Sequence, residues 1–239
     1  MTPELTGYAD PLIVQPGQRV HFKVSTDLPG YEAAIVRLIQ ADENPAGPGY
    51  KEAAVDAPVN GCYTGRKQIA HPGSFIVVPD HPALRKLSSL TLQMWIYPTT
   101  PGNGEAQGLI TKWSAADSRG FGLGIGQAGD LEFWIGDGAG GIERIGTGQA
   151  LRAKQWYFVA AAYDAERGSV YLSQQPLSKW ALETSAEAVE RRVQARGPAQ
   201  NDAPLVMASA NVEAAGPQGL VGRGPYNGKL DSPASLPGP

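Results

Sequence analysis

Asp130 and Glu132 stand at alternate positions and are the best-spaced acidic pair in this chain for acid–base work. In an extended strand, positions i and i+2 share a face, and glycoside hydrolysis needs two carboxylates flanking one bond. Where a third acidic residue would extend the row, the chain has Trp134. Trp134 and Trp95 are candidates for a sugar-stacking platform, the alternative being that both are packing residues. Asp137, Asp164 and Asp231 fall at strand ends, where they can offer calcium its hard oxygen ligands or satisfy the N–H groups of turns. Nucleophilic catalysis requires a base held against the nucleophile. His21 sits on the polar face of a strand, His71 and His81 stand beside prolines in turn-like segments, and no Gly-x-Ser-x-Gly elbow occurs. Without a companion His or Cys pair, His71 and His81 do not suggest a transition-metal site. The single cysteine, Cys62, excludes an internal disulfide and a multi-cysteine zinc site and reads as a small packed hydrophobe in a reduced, cytoplasmic protein.

The elements that must carry these residues are strands. Arg19–Ser25 places Val20, Phe22 and Val24 on one face, and Tyr31–Gln40 reads as a longer strand with weaker alternation. Leu90–Tyr97 puts Leu90, Leu92, Met94 and Ile96 on an aliphatic face and Thr91, Gln93, Trp95 and Tyr97 on the other. Further strands follow at Gly108–Trp113, Gly120–Gly126, Asp130–Gly136, Trp156–Asp164 and Ser169–Ser173, then at Leu205–Ala210 and Tyr226–Leu230. Short strands separated by Gly-rich turns predict a sandwich or barrel. From Ala181 to Arg196, the helical spacing of Leu182, Ala186, Val189 and Val193 predicts a short inserted amphipathic helix.

In 239 residues, 42% apolar, there is ample material for a core. The 30 glycines and 20 prolines are scattered among strand-like runs, as turns require, rather than gathered in one low-complexity tract. A net charge of −3 leaves no basic footprint for nucleic acid. No apolar run is long enough for a membrane helix, and the start Met1-Thr2-Pro3-Glu4 lacks the shape of a signal peptide. The expected organisation is all-β. A small immunoglobulin-like segment over 1–68 precedes a jelly-roll sandwich over 69–233 and a tail over 234–239.

Two sets of blocks carry a resemblance. Leu90–Thr99, Gly108–Trp113, Gly122–Ile125, Trp156–Ala160, Tyr163-Asp164 and Tyr226–Asp231 resemble the concanavalin A/laminin-G-like jelly roll. Joined to Gly7–Pro11, Pro16-Gly17, Val36–Leu38, Gly47–Gly49 and Gly65–Gln68, they resemble the N-terminal region of the large (beta) subunit of N,N-dimethylformamidase. That resemblance implies an amide hydrolase whose iron is held by tyrosines and a glutamate of a later catalytic domain. It also implies packing against the rest of the large subunit and a small subunit. No residue here corresponds to those ligands, so the expected role is a non-catalytic ancillary or assembly region with no cofactor of its own. Two alternatives stand beside it: a carbohydrate-binding lectin-like module, and a weak glycosidase using Asp130 and Glu132.

Overall fold

The computed structural model describes residues 5–44, 46–68, 73–139, 141–177, 185–195, 197–215 and 219–238. Its contacts divide the chain into two units, Met1–Ala70 and His71–Pro239.

In the first unit the hydrogen-bonded ladders among the described residues are two-stranded and antiparallel: β1 (Leu5–Asp10) with β2 (His21–Thr26), β3 (Gly30–Ala33) with β6 (Gly61–Thr64), and β4 (Val36–Gln40) with β5 (Lys51–Ala54). The single strand expected over Tyr31–Gln40 is thus two. Its break has a local cause, because the side-chain carbonyl of Asn60 accepts the Ile35 N–H at 2.8 Å, so the ladder changes partner there. Tyr31 and Tyr63 stack across β3 and β6 with centroids 5.6 Å apart.

The second unit is a two-sheet sandwich. Its strands are β7 (Ile76–Val78), β8 (Leu90–Pro98), β9 (Gln107–Ser114), β10 (Arg119–Ile125), β11 (Asp130–Asp137), β12 (Ile142–Ala150), β13 (Tyr157–Asp164), β14 (Ser169–Pro176), β15 (Glu187–Arg192), β16 (Leu205–Met207), β17 (Ser209–Ala214), β18 (Leu220–Pro225) and β19 (Gly228–Pro237). One sheet runs β12-β11-β10-β9-β16-β7 and the other β15-β14-β13-β8-β19, while β17 and β18 pair as a separate ribbon. Period-2 alternation explains the layering. Leu90, Leu92, Met94 and Ile96 of β8 and Tyr157, Val159, Ala161 and Tyr163 of β13 are wholly buried. They form one core with Phe121, Leu123, Phe133 and Ile135 of the facing sheet. Each fully buried large aliphatic or aromatic side chain of this kind contributes roughly 1.5–3 kcal/mol. The β17–β18 ribbon lies over β9, where Thr111 Oγ1 donates to Ala210 O at 3.1 Å.

The helix expected over 181–196 is corrected. Residues 181–184 and 196 lie outside the described residues, but Glu187–Arg192 is an edge strand paired with β14, Val189 standing opposite Leu172. Only Val189 in it is half-buried, and its exposed Glu187, Glu190, Arg191 and Arg192 are the charges that keep a sheet edge from pairing further. The short helix in the described chain is α1 (Pro82–Arg85), capped by His81, whose Nδ1 accepts from the Ala83 N–H at 3.2 Å. The tail expected over 234–239 is largely strand, since Ala234–Pro237 continue β19 opposite Gln93–Leu90. No helix among the described residues is long and apolar enough to cross a membrane.

Candidate functional site

Because β8 turns its aliphatic face to the core, Trp95 and Tyr97 are forced onto the outer face of the five-stranded sheet, half-buried. On one side Phe158 of β13 stands opposite Trp95, the two rings 5.4 Å apart at 60°. Trp156, just before β13, sets its ring 5.4 Å from Tyr97. On the other side β19 places Asp231 opposite Trp95 and Lys229 opposite Tyr97, with the Lys229 ammonium 5.5 Å over the Tyr97 ring. A shallow groove of about 220 Å³ opens here, lined by Trp95, Trp156, Leu177 and Asp231. Leu177 is held beside Trp156 by its N–H, which donates to Trp156 O at 2.8 Å.

A bulge sets the position of the carboxylate. Past Asp231, Ser232 and Pro233 together oppose the single residue Met94, after which Ala234 resumes pairing with Gln93. Ser232 takes φ 48° to make the step, and Pro233 needs no ladder hydrogen bond at such a place. Asp231 Oδ1 accepts from Ser232 Oγ at 3.2 Å, and its carboxylate forms no ion pair among the described residues. What the groove offers chemically is two half-exposed indoles, an aliphatic wall and one negative charge.

Trp134 does not join it. It belongs to β11 in the other sheet, points outward, and is only 7% exposed. Its ring lies on Gly122 and Gly124; a Cβ at Gly122 would sit 2.2 Å from the indole. The Arg144 guanidinium sits over the Trp134 ring at 5.5 Å. With the core between them, Trp95 and Trp134 cannot form the single stacking platform expected from the sequence. Trp156, which the sequence reading passed over as the start of a strand, takes that place beside Trp95. Its parity with Tyr97 emerges only once the β8–β13 register is known.

Asp130 and Glu132 do share the outer face of β11, although a bulge separates their pairings to β12. Both are engaged: Asp130 Oδ2 accepts the Gly148 N–H at 2.8 Å, and Glu132 Oε1 accepts from Arg144 at 2.5 Å. The three aspartates considered for calcium lie apart. Asp137 Oδ1 accepts from Ala139 and Gly141 N–H at 2.8 and 3.1 Å, and Asp164 Oδ1 from Glu166 and Arg167 N–H at 2.9 and 3.1 Å. Both thereby fix their own turns, while Asp231 is in the groove. Among the histidines, His81 caps α1, His21 is exposed opposite Asp10, and His71 lies outside the described residues. Cys62, expected to be packed, is exposed on β6, where a two-stranded ladder offers it no core.

The sequence reading also missed a charged cluster. Lys112 stands at a core-facing position of β9, opposite Phe121, and its side chain is 2% exposed. Its ammonium donates to Asp80 Oδ1 at 2.7 Å and to Ala203 O at 2.5 Å. Arg85 binds the other Asp80 oxygen. Hydrogen bonds from Arg85 and then Lys112 hold the Asp80 carboxyl down at about 2. The visible signal was a lysine at the parity of Ile110 in Leu109-Ile110-Thr111-Lys112.

Comparison with known proteins now has a geometry to rest on. The family model of the concanavalin A-like lectin/glucanases superfamily matches residues 72–176. The N,N-dimethylformamidase beta subunit of Paracoccus aminophilus is 34% identical over 246 residues, which is 97% of this chain and 32% of that protein. This chain is similar to N,N-dimethylformamidase beta subunits over almost its whole length. The beta subunit from an Alcaligenes species gives 31% over 242 residues, 96% of this chain and 31% of the relative. The chain therefore spans about a third of the length of these relatives. Among solved structures, the CBM40 of Ruminococcus gnavus IT-sialidase, bound to α2,3 sialyllactose, aligns with a TM-score of 0.49. It is 13% identical and covers 70% of this chain and 88% of its own.

The described residues offer no evident set of ligands for the iron that the resemblance implies. Among the described residues no three His, Cys, Asp or Glu side chains gather to hold a metal. Three buried tyrosine hydroxyls are engaged within the sandwich: Tyr157 hydrogen-bonds Ser185, Tyr163 donates to Ala195 O at 2.8 Å, and Tyr226 donates to Lys229 O at 3.4 Å.

Proposed function

We propose that this chain is the N-terminal, non-catalytic region of a dimethylformamidase-like amide hydrolase, and that its work is assembly: packing against the remainder of the polypeptide that carries the chemistry. The observation that carries this reading is the first unit. Of its described residues, Thr26 alone is buried, while Leu12 is 81% exposed, Ile13 89%, Ile39 60% and Phe22 59%. The β1–β2 ladder presents Leu5, Ala9, Phe22 and Val24 on one face. A β unit that turns its apolar side chains outward has no core of its own to hold it, and an apolar face such as the one across β1 and β2 marks an interaction surface. The relatives, some three times longer, supply a polypeptide to cover it. On this reading the amide hydrolysis, the iron and the contact with a small subunit belong to that remainder, in the cytoplasm.

The purified chain is expected to release no formate from N,N-dimethylformamide, and to co-purify with the remaining two thirds of the Paracoccus aminophilus beta subunit when the two are co-expressed. Formate release, or failure to associate, overturns the proposal. The glycosidase alternative is weakened by the commitments of Asp130 and Glu132. The lectin alternative loses the two-tryptophan platform that motivated it.

A further inference from the structure

The groove on the five-stranded sheet has a charge pattern that apolar packing alone does not require. Two aromatic positions run side by side along the outer face, Tyr97 and Trp95, and β19 presents a charged residue opposite each. At Tyr97 that residue is a cation, Lys229, seated 5.5 Å over the ring. At Trp95 it is a carboxylate, Asp231, with no cationic partner among the described residues and a second indole, Trp156, lining the same groove. An aromatic surface attracts a cation through the negative face of its π system, most strongly for indole, and a carboxylate at the rim adds a full countercharge. A strongly hydrated ammonium would gain little in an open groove. An alkylated ammonium, whose methyl groups shed water easily and match the Leu177 and indole walls, gains both terms.

We propose that Trp95, Trp156, Leu177 and Asp231 form a binding site for a small alkylated ammonium ion. The indoles contact its methyl groups and Asp231 compensates its charge. The inference rests on the groove alone and stands whether or not the chain is an assembly region. It joins two residues that the sequence reading had set apart, Trp95 as a stacking residue and Asp231 as a calcium ligand, under one chemistry that is neither.

The test is a titration of the whole chain, followed by the indole N–H signals of Trp95 and Trp156 in ¹H–¹⁵N spectra. Tetramethylammonium chloride is compared with sodium chloride at matched ionic strength and with tert-butanol as the uncharged isostere. Saturable shifts confined to tetramethylammonium are expected. Asp231→Asn, at an exposed strand position that does not support the core, should weaken them about tenfold. Trp156→Leu should abolish the response at Trp95 while core methyl signals stay in place. Absence of a saturable shift overturns the proposal. So does equal binding by Asp231→Asn, or an equal response to tert-butanol.

Discussion

Gly122 is the residue on which the outer face of the six-stranded sheet depends. The Trp134 indole lies flat against it and is covered by Arg144, so a methyl group there, 2.2 Å from the ring, has nowhere to go unless the indole lifts. Overpacking of that kind costs about 1–3 kcal/mol. Gly122→Ala is therefore expected to lower the melting temperature and to increase the solvent exposure of Trp134, which quenching of its fluorescence would report. An unchanged melt would mean that the ring is not pinned. The Gly-x-Gly-x-Gly spacing of 120–124 was plain in the sequence, but not which aromatic it served. That needed the β10–β11 register, Gly122 opposite Trp134. The same lack of register made Trp95 and Trp134 look like neighbours and hid Trp156.

Strands, rather than single residues, are what the Asp80 cluster ties together: it joins the segment between β7 and α1 to the interior of β9. In the folded chain Asp80 titrates at about 2, below its ordinary 3.8. As pH falls, the unfolded chain takes up this proton first, so the cluster's contribution is whole above the ordinary value and is lost toward about pH 2. Thermal melts from pH 7 down to 2 should show that loss, and Asp80→Asn should melt lower at pH 7 by leaving the Lys112 ammonium buried without its countercharge. Pairing Asp80→Asn with Lys112→Met should restore much of the difference; if it does not, the cluster holds the strands by something other than charge. At this scale the sequence was most legible where alternation was strong, as in β8 and β13, each with an unbroken aliphatic or aromatic inward face. It misled at β15, where Val189 and Val193 imitate helical spacing while only Val189 of the strand reaches the sheet's inner side. It was silent at β12, whose Gly146 and Gly148 read as loop and which becomes a strand through pairing with β11.

The molecule as a whole divides its apolar residues unequally, inward in the second unit and outward in the first. Replacing Phe22 and Leu38 together with Ser should raise the solubility of the isolated chain. Unchanged solubility would show that those side chains are not the apolar surface that assembly covers. One further consequence lies in the order of synthesis. β8, the strand between β13 and β19, is made early and then waits for its last neighbour, as Thr91 Oγ1 donates to Gly238 O across 147 residues of sequence. A ribosome must deliver nearly all of this chain before the edge of β8 is covered. Until then the row Leu90–Pro98, with its inward face of Leu90, Leu92, Met94 and Ile96, presents open backbone to any other strand in the cell. β19 is thus a closing piece as much as a structural one. Nascent chains halted before Gly228 are the species that chaperones would be called on to hold.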